Sequence, residues 1–466
     1  MTEAERVVIA GAAIATVDAR ETEHSDGHVV VEDGRIVTVG PGPAPAQDRP
    51  VRTVDGRGCL VTPGFVNTHH HLYQHATRGY AQQSELFDWL TELYPVWAGI
   101  DETSTHAAAA AGLARLALSG CTTAADHHYV FPRGGEDVLG SVVAASRRVG
   151  TRLHAVRGSM DRGASQGGLP PDSVVEDTDT ALAETEAAID RFHDPAPDAR
   201  VRVAVGPCSP FSVSERLMRD AAALARRRGV RLHTHLAETR DEHERCLAEF
   251  GRTPVEYAEE LGWLGPDVWL AHTVHLARPE IQRLASTGTG SSHCPSSNAR
   301  LAAGTAPVRD LLAAAVPVGL GVDGAASNEH GGLGEEIRAA LLVARLRDGV
   351  AALTPRQALW LATAGGARCL GRQDEIGSLE PDKLADIAVW RVDQLEHAGI
   401  ADPVAALALG GLPRLELLLC GGDTLVESGE LRSASADDIA RDLREASSAL
   451  AARAHHSPST TTEALR

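Results

Sequence analysis

Four histidines stand within seven positions of the chain, His69, His70, His71 and His75, directly behind an apolar run that reads as a strand entering a core. Side chains alternate along a strand, so His69 and His71 point one way and His70 the other. A His-x-His pair leaving a strand end can therefore bring two imidazoles to one ion. Three later segments carry groups of the same kind. "HTHLAE" contributes His235 with Glu238 three residues on, "LAHTVHL" contributes His272, and "GLGVDG" sets Asp323 before a glycine. Three imidazoles and one carboxylate, from His69, His71, His235 and Asp323, suit Zn²⁺ or Fe²⁺, borderline ions that accept nitrogen and oxygen together.

Taken singly, each group has a plainer reading. Histidines at a strand end can be merely solvated, Glu238 can be an acid favoured by a helix N-terminus, His272 can be packed in a strand, and Asp323 can belong to an ordinary turn. Their order along the chain argues otherwise, because each falls at the end of a predicted strand. His70, His75, His127, His128, His154, His275 and His293 read as core or supporting residues rather than ligands.

The elements that must position these groups repeat. From about residue 59 to 324, a short apolar strand, a polar loop and an amphipathic Ala/Leu/Arg/Glu helix follow one another eight times. The strands are "CLVTPGFVNT", "CTTAADHH", "RLHAVRGS", "VRVAVGP", "VRLHTHLAE", "VWLAHTVHL", "TGTGSSHC" and "VPVGLGVDG". Alternation of this kind predicts an α/β fold with a parallel sheet, and eight units predict a closed, TIM-like (β/α)8 barrel, whose chemistry sits at the C-terminal strand ends. The flanks have another grammar. "ERVVIAGAAIATVDA" and "HVVVEDGRIVTVG" pair as strands, with "EDGR" as a turn, and similar segments return in "LADIAVWRV" and "LELLLCGGDTLVESGEL". The expected organisation is a β-sandwich from residues 1–60 and 372–433, a barrel over 61–371, and a helical extension with a flexible tail over 434–466.

Bulk properties narrow the partners. A formal charge of -19 opposes nucleic acid or an anionic membrane surface, both of which need a basic footprint. A small, weakly charged substrate fits better. No run approaches the roughly 18 apolar residues of a spanning helix, and the N-terminal apolar stretch reads as a strand rather than an export signal. Seven scattered cysteines without a CxxC pair fit a reducing cytoplasm.

The segments "PGFVNTHHH", "HTHLAE", "LAHTVHL", "SHCPSSNARLAAG", "GVDGAASN" and "GSLEPDKLADIAVW" resemble the amidohydrolase superfamily, and within it the aminohydrolases of purine, pterin and triazine rings. "HHHLYQHATRG", "ELFDWLTELYPVWA", "GCTTAADHHYVFP", "GPCSPFSVS" and above all the loop from Arg157 to Glu176 resemble its 8-oxoguanine deaminase branch. The resemblance implies hydrolytic deamination of an amino-substituted heterocycle, with 8-oxoguanine expected and isoxanthopterin, guanine or a hydroxylated s-triazine as alternatives. It also implies a homo-oligomer. A non-catalytic scaffold of the same fold is disfavoured because the chain retains every ligand and acid/base position.

By the same resemblance His69, His71, His235 and Asp323 hold the metal. Related two-metal sites bridge their ions with a carboxylated lysine on a barrel strand. The chain has a single lysine, Lys383, outside the barrel, so one ion is expected. Zinc lowers the pKa of water from 15.7 to about 7. Glu238 is then the residue expected to carry a proton to the ring nitrogen, Asp323 to pass one to the departing amine, and His272 to orient the attacking oxygen. Gln74 offers a donor and an acceptor to a ring edge, Arg157 a donor to a ring carbonyl, and Trp89 a wall or stacking face. Asn298, Ser327 and Asn328 are expected to brace loops and the Asp323 carboxylate.

Overall fold

The computed structural model describes residues 6–46, 51–133 and 137–456. Eight parallel strands close into a barrel: Phe65–Asn67, Cys121–His128, Arg152–Ser159, Val201–Pro207, Arg231–Leu236, Val268–His272, Gly290–His293 and Val318–Leu320. The eighth returns to the first, pairing Leu320 with Asn67. Helices cover the outside, so the strands are buried on both faces. The helix Glu215–Arg228 shows how the sequence sets these covers. Ser214 caps it through the amide of Leu217, its buried Leu217, Met218, Ala221, Ala222, Leu224 and Ala225 form one stripe, and Gly229 ends it at φ 66°.

Both ends of the chain build one nine-stranded sheet. Its path runs Glu430–Leu431, Asp423–Glu427, Arg414–Cys420, Ile387–Arg391, Cys59–Pro63, Val7–Ala15, Glu23–Glu32 and Arg35–Pro41, with Arg52–Asp55 beside Val7–Ala15. The expected "EDGR" turn joins Glu23–Glu32 to Arg35–Pro41, with Asp33 at φ 51° and Gly34 at φ 74°, the pair of positive angles a tight hairpin needs. Period-two alternation decides what each face touches. Cys59, Val61, Ile387, Val389, Leu417 and Leu419 pack into the sheet's own core with Ile9 and Val29. The intervening Leu60, Ala388, Trp390, Leu418 and Cys420 join the main core against the barrel.

The predicted first strand, residues 59–68, is two elements. Cys59–Pro63 pairs antiparallel with Ile387–Arg391 in the outer sheet, and Phe65–Asn67 enters the barrel beside Cys121–His128. The chain crosses from one to the other at Gly64, where a Cβ would lie 2.5 Å from Thr122. The sheet therefore reaches past residue 60. Below the barrel, Arg152 and Asp386 form a buried ion pair at 2.8 Å that ties the third barrel strand to the sheet.

The C-terminal extension is the helix Ala436–His456, which takes in the first two residues of the tail expected from "HHSPSTTTEALR"; the rest, 457–466, lies outside the described residues. Among the described residues no helix is long and apolar enough to cross a membrane.

Candidate active site

Side chains from four strand ends, the first, fifth, sixth and eighth, converge at one end of the barrel. His71 Nε2 lies 3.0 Å from His235 Nε2, and both His69 Nε2 and His71 Nε2 lie 3.2 Å from Asp323 Oδ1. Donor atoms of His69, His235, His272 and Asp323 fall within 4.8 Å of one another. His272 Nε2 is 3.7 Å from Glu238 Oε2 and 3.9 Å from Asp323 Oδ2.

The hydrogen bonds behind the rings settle their tautomers. His71 Nδ1 donates to the carbonyl of His127 at 2.7 Å, and His235 Nδ1 to that of Cys208 at 2.6 Å. His233 Nδ1 donates to the Trp269 carbonyl at 2.8 Å, which leaves His233 Nε2 to accept from His69 Nδ1, also at 2.8 Å. The Nε2 atoms of His69, His71 and His235 therefore carry lone pairs, all directed at one place beside a carboxylate oxygen. The buried His69 Nε2 has no hydrogen-bond partner. Burial also holds His69 and His235 well below the usual histidine range, so both are neutral at neutral pH. Imidazole nitrogens converging beside a carboxylate fit a divalent cation, and these residues could hold one.

Two of the groups sit on strained backbone. His272 has φ 73° and Asp323 φ 62°, in a region that non-glycine residues enter at a cost of about 1–3 kcal/mol. The sharp turn is what aims each side chain inward at its strand end. Asp323 is then held by Ser297 Oγ at 2.5 Å and Ser327 Oγ at 3.3 Å on Oδ2, and by the amide of Gly324 at 2.7 Å on Oδ1. Asn298 Oδ1 accepts from His272 Nδ1 at 2.9 Å, while Asn328 braces the loop by donating to the Val322 carbonyl and to Glu336.

A cavity opens on this cluster, lined by His71, His235, Glu238, His272 and Asp323 at its floor. Its roof is the helix Leu86–Trp97, which contributes Leu86, Trp89, Leu90 and Tyr94. Burial foremost, and then the charges of Asp323 and Glu242, push the Glu238 carboxyl well above the usual range. Gln74 also lines the cavity, with both amide atoms buried and unpaired. It can reach that position because residue 324 is glycine, where a Cβ would lie 1.8 Å from Gln74 Oε1.

Of the three residues expected to contact substrate, Gln74 and Trp89 are on the cavity wall, and Trp89 Nε1 is directed to the Ala326 carbonyl at 3.3 Å. Arg157 is elsewhere. Its guanidinium makes a two-pronged ion pair with Glu176, both contacts 2.7 Å, donates to the Gly158 carbonyl and lies over the Phe131 ring. It closes the two ends of the 157–176 loop on each other instead of facing the cavity. Sequence reasoning passed over His233, Ser297 and Glu242. His233 repeats the His-x-His spacing with His235, which was a readable signal; Ser297 and Glu242 lie in the helices Pro295–Arg300 and Arg240–Phe250, where nothing in the local pattern marks them.

Residues 60–423 match the Amidohydrolase family. The chain belongs to that family. Among amidohydrolases it is 47% identical to the 8-oxoguanine deaminase of Pseudomonas aeruginosa, covering 91% of this chain and 95% of the relative. It is 36% identical to the hydroxydechloroatrazine ethylaminohydrolase of Pseudomonas sp., covering 92% of each chain. The solved amidohydrolase structure of atrazine chlorohydrolase from Arthrobacter aurescens TC1, complexed with zinc, is similar in fold and 34% identical, with a TM-score of 0.89, covering 95% of this chain and all of that one.

Proposed function

We propose that this amidohydrolase replaces the 2-amino group of 8-oxoguanine with oxygen from water, releasing urate and ammonia. The observation that carries the reaction type is the buried Glu238 carboxyl on the cavity wall, 3.7 Å from His272 and beside the imidazole and Asp323 cluster. Similarity to the Pseudomonas aeruginosa enzyme supports the choice of ring.

In this reading His69, His71, His235 and Asp323 hold one divalent ion, zinc or iron(II). Such an ion supplies Lewis acidity, which makes water a competent nucleophile at neutral pH. Glu238 delivers its proton to the ring nitrogen next to the amine-bearing carbon, so that negative charge does not build up on the heterocycle. Asp323 accepts the proton given up by water and passes it to the leaving amine. His272, held by Asn298, orients the attacking oxygen. Gln74 pairs with a ring edge, and Trp89 with its neighbours on the roof excludes bulk water.

A single ion agrees with the lysine count. Lys383 donates to the Gln373 carbonyl at 2.7 Å and to Ser378 Oγ at 2.6 Å, outside the barrel, and no barrel strand carries another lysine. Elemental analysis of active protein is expected to return one equivalent of zinc or iron per chain, and two equivalents would overturn this reading.

The ring is tested by ammonia release from 8-oxoguanine, guanine, isoxanthopterin and a hydroxylated s-triazine, using metal-replete protein. 8-Oxoguanine is expected to show the highest kcat/KM of the four. An inert 8-oxoguanine beside rapid turnover of another ring would remove the substrate assignment and keep the chemistry.

A further inference from the structure

Glu238 leaves the fifth barrel strand on a turn that supports itself poorly. Ala237, just before it, has φ 54°, in the left-handed region. The carbonyl of Ala237 is secured by two amides from the turn after the sixth strand, Val274 and His275, both at 2.9 Å. The two amides of the turn itself point the other way, and both are taken by one carboxylate. Glu242 accepts from the Ala237 amide on Oε1 and from the Glu238 amide on Oε2, each at 2.8 Å.

This is an unusual use of that position. Thr239 caps the helix Arg240–Phe250 and accepts from the Glu242 amide, so Glu242 stands three residues inside the helix start. A glutamate there ordinarily reaches back to the amide of the capping residue. Glu242 reaches past it to the two residues before, and does so fully buried. Burying a carboxylate costs several kcal/mol unless hydrogen bonds offset it, and here both oxygens are engaged by the backbone that presents Glu238.

We propose that Glu242 is a positioning residue for deamination: by clamping the Ala237 and Glu238 amides it fixes the Glu238 carboxyl against His272 and the cavity floor. The proposal rests on the role given to Glu238 above. Hydrogen-bond direction makes it specific. A glutamine at 242 keeps the shape and one acceptor but turns an NH₂ toward one of the two amides, so that amide loses its partner and the turn shifts.

Glu242→Gln is expected to lower kcat about 10–100-fold, the scale on which an ångström of misplacement acts, with KM within about threefold of wild type and the full metal complement retained. Glu242→Asp, too short to reach both amides, is expected to show the same split. The decisive comparison is with Glu238→Gln. If Glu242 acts through Glu238, the double variant Glu238→Gln/Glu242→Gln has the kcat of Glu238→Gln alone. Wild-type kcat per bound metal in Glu242→Gln, or a further loss in the double variant equal to the single loss, overturns the proposal. An active Glu238→Gln instead removes the reading on which it rests, so the two failures are told apart.

Discussion

Glu238→Gln is expected to lower kcat by about 10²–10⁴-fold, the range typical of a lost general acid or base, and to leave metal content and KM little changed. The substitution conserves volume and hydrogen-bonding shape, and it removes only the ability to give up and regain a proton. Glu238 lies 3.7 Å from His272 and on the cavity floor, yet it is outside the set of lone pairs that converge beside Asp323. Metal binding and catalysis should therefore separate at this residue. Stopped-assay ammonia release together with elemental analysis checks it: activity within tenfold of wild type contradicts the assignment, and loss of metal would move Glu238 into the ligand set.

Arg152→Met is expected to cost about 3–5 kcal/mol of stability, the scale for breaking a buried pair from one side. Arg152 and Asp386 are 1% and 2% exposed, and the guanidinium also reaches the Asp198 carbonyl. Without it Asp386 keeps the Gly421 amide but no countercharge. Replacing both partners by apolar residues, as in Arg152→Met/Asp386→Leu, should recover much of the loss, because no uncompensated charge remains. Thermal denaturation of the three variants checks this, and equal losses in the single and double variants would contradict it. The pair also has a pH signature. Burial raises the Asp386 pKa, but the charge and hydrogen bonds of Arg152 outweigh it and hold the carboxyl below its ordinary value. A depressed folded-state pKa contributes stability that is complete above the unfolded value, about 3.9, and is lost as pH falls through the folded value. Wild type should therefore weaken in acid below about pH 4, whereas the apolar double variant lacks this contribution.

Much of this was readable from one dimension. The alternation of strand and helix specified a barrel because each apolar strand with an amphipathic helix behind it can be buried only in a parallel sheet covered on its outer face. His69 and His71 were readable because i and i+2 share a side of a strand. Asp323 was readable because it precedes a glycine at the end of the last strand unit. Other features were not. The run 59–68 reads as one strand, and although Pro63–Gly64 punctuates it, only the packing shows that the chain there leaves the sheet for the barrel. Arg157 carried a plausible donor at a strand end, but an arginine's destination depends on which carboxylate lies nearest in space, and that is Glu176.

The pair His233 and His235 shows the division most clearly. Their spacing is that of His69 and His71, and alternation sends both into the barrel. Depth separates them: His235 reaches the cavity, while His233 stacks on Trp269 with ring centroids 4.4 Å apart and holds His69 from behind. The chain's residue types and periodicities thus determined the fold class and the set of groups able to do chemistry, and the resemblance of its motifs gave the family. Only tertiary packing decided which of them meet, which amides Glu242 clamps and which lone pairs are left facing one point. Those choices depend on distances between segments far apart in the chain, which a local pattern does not encode.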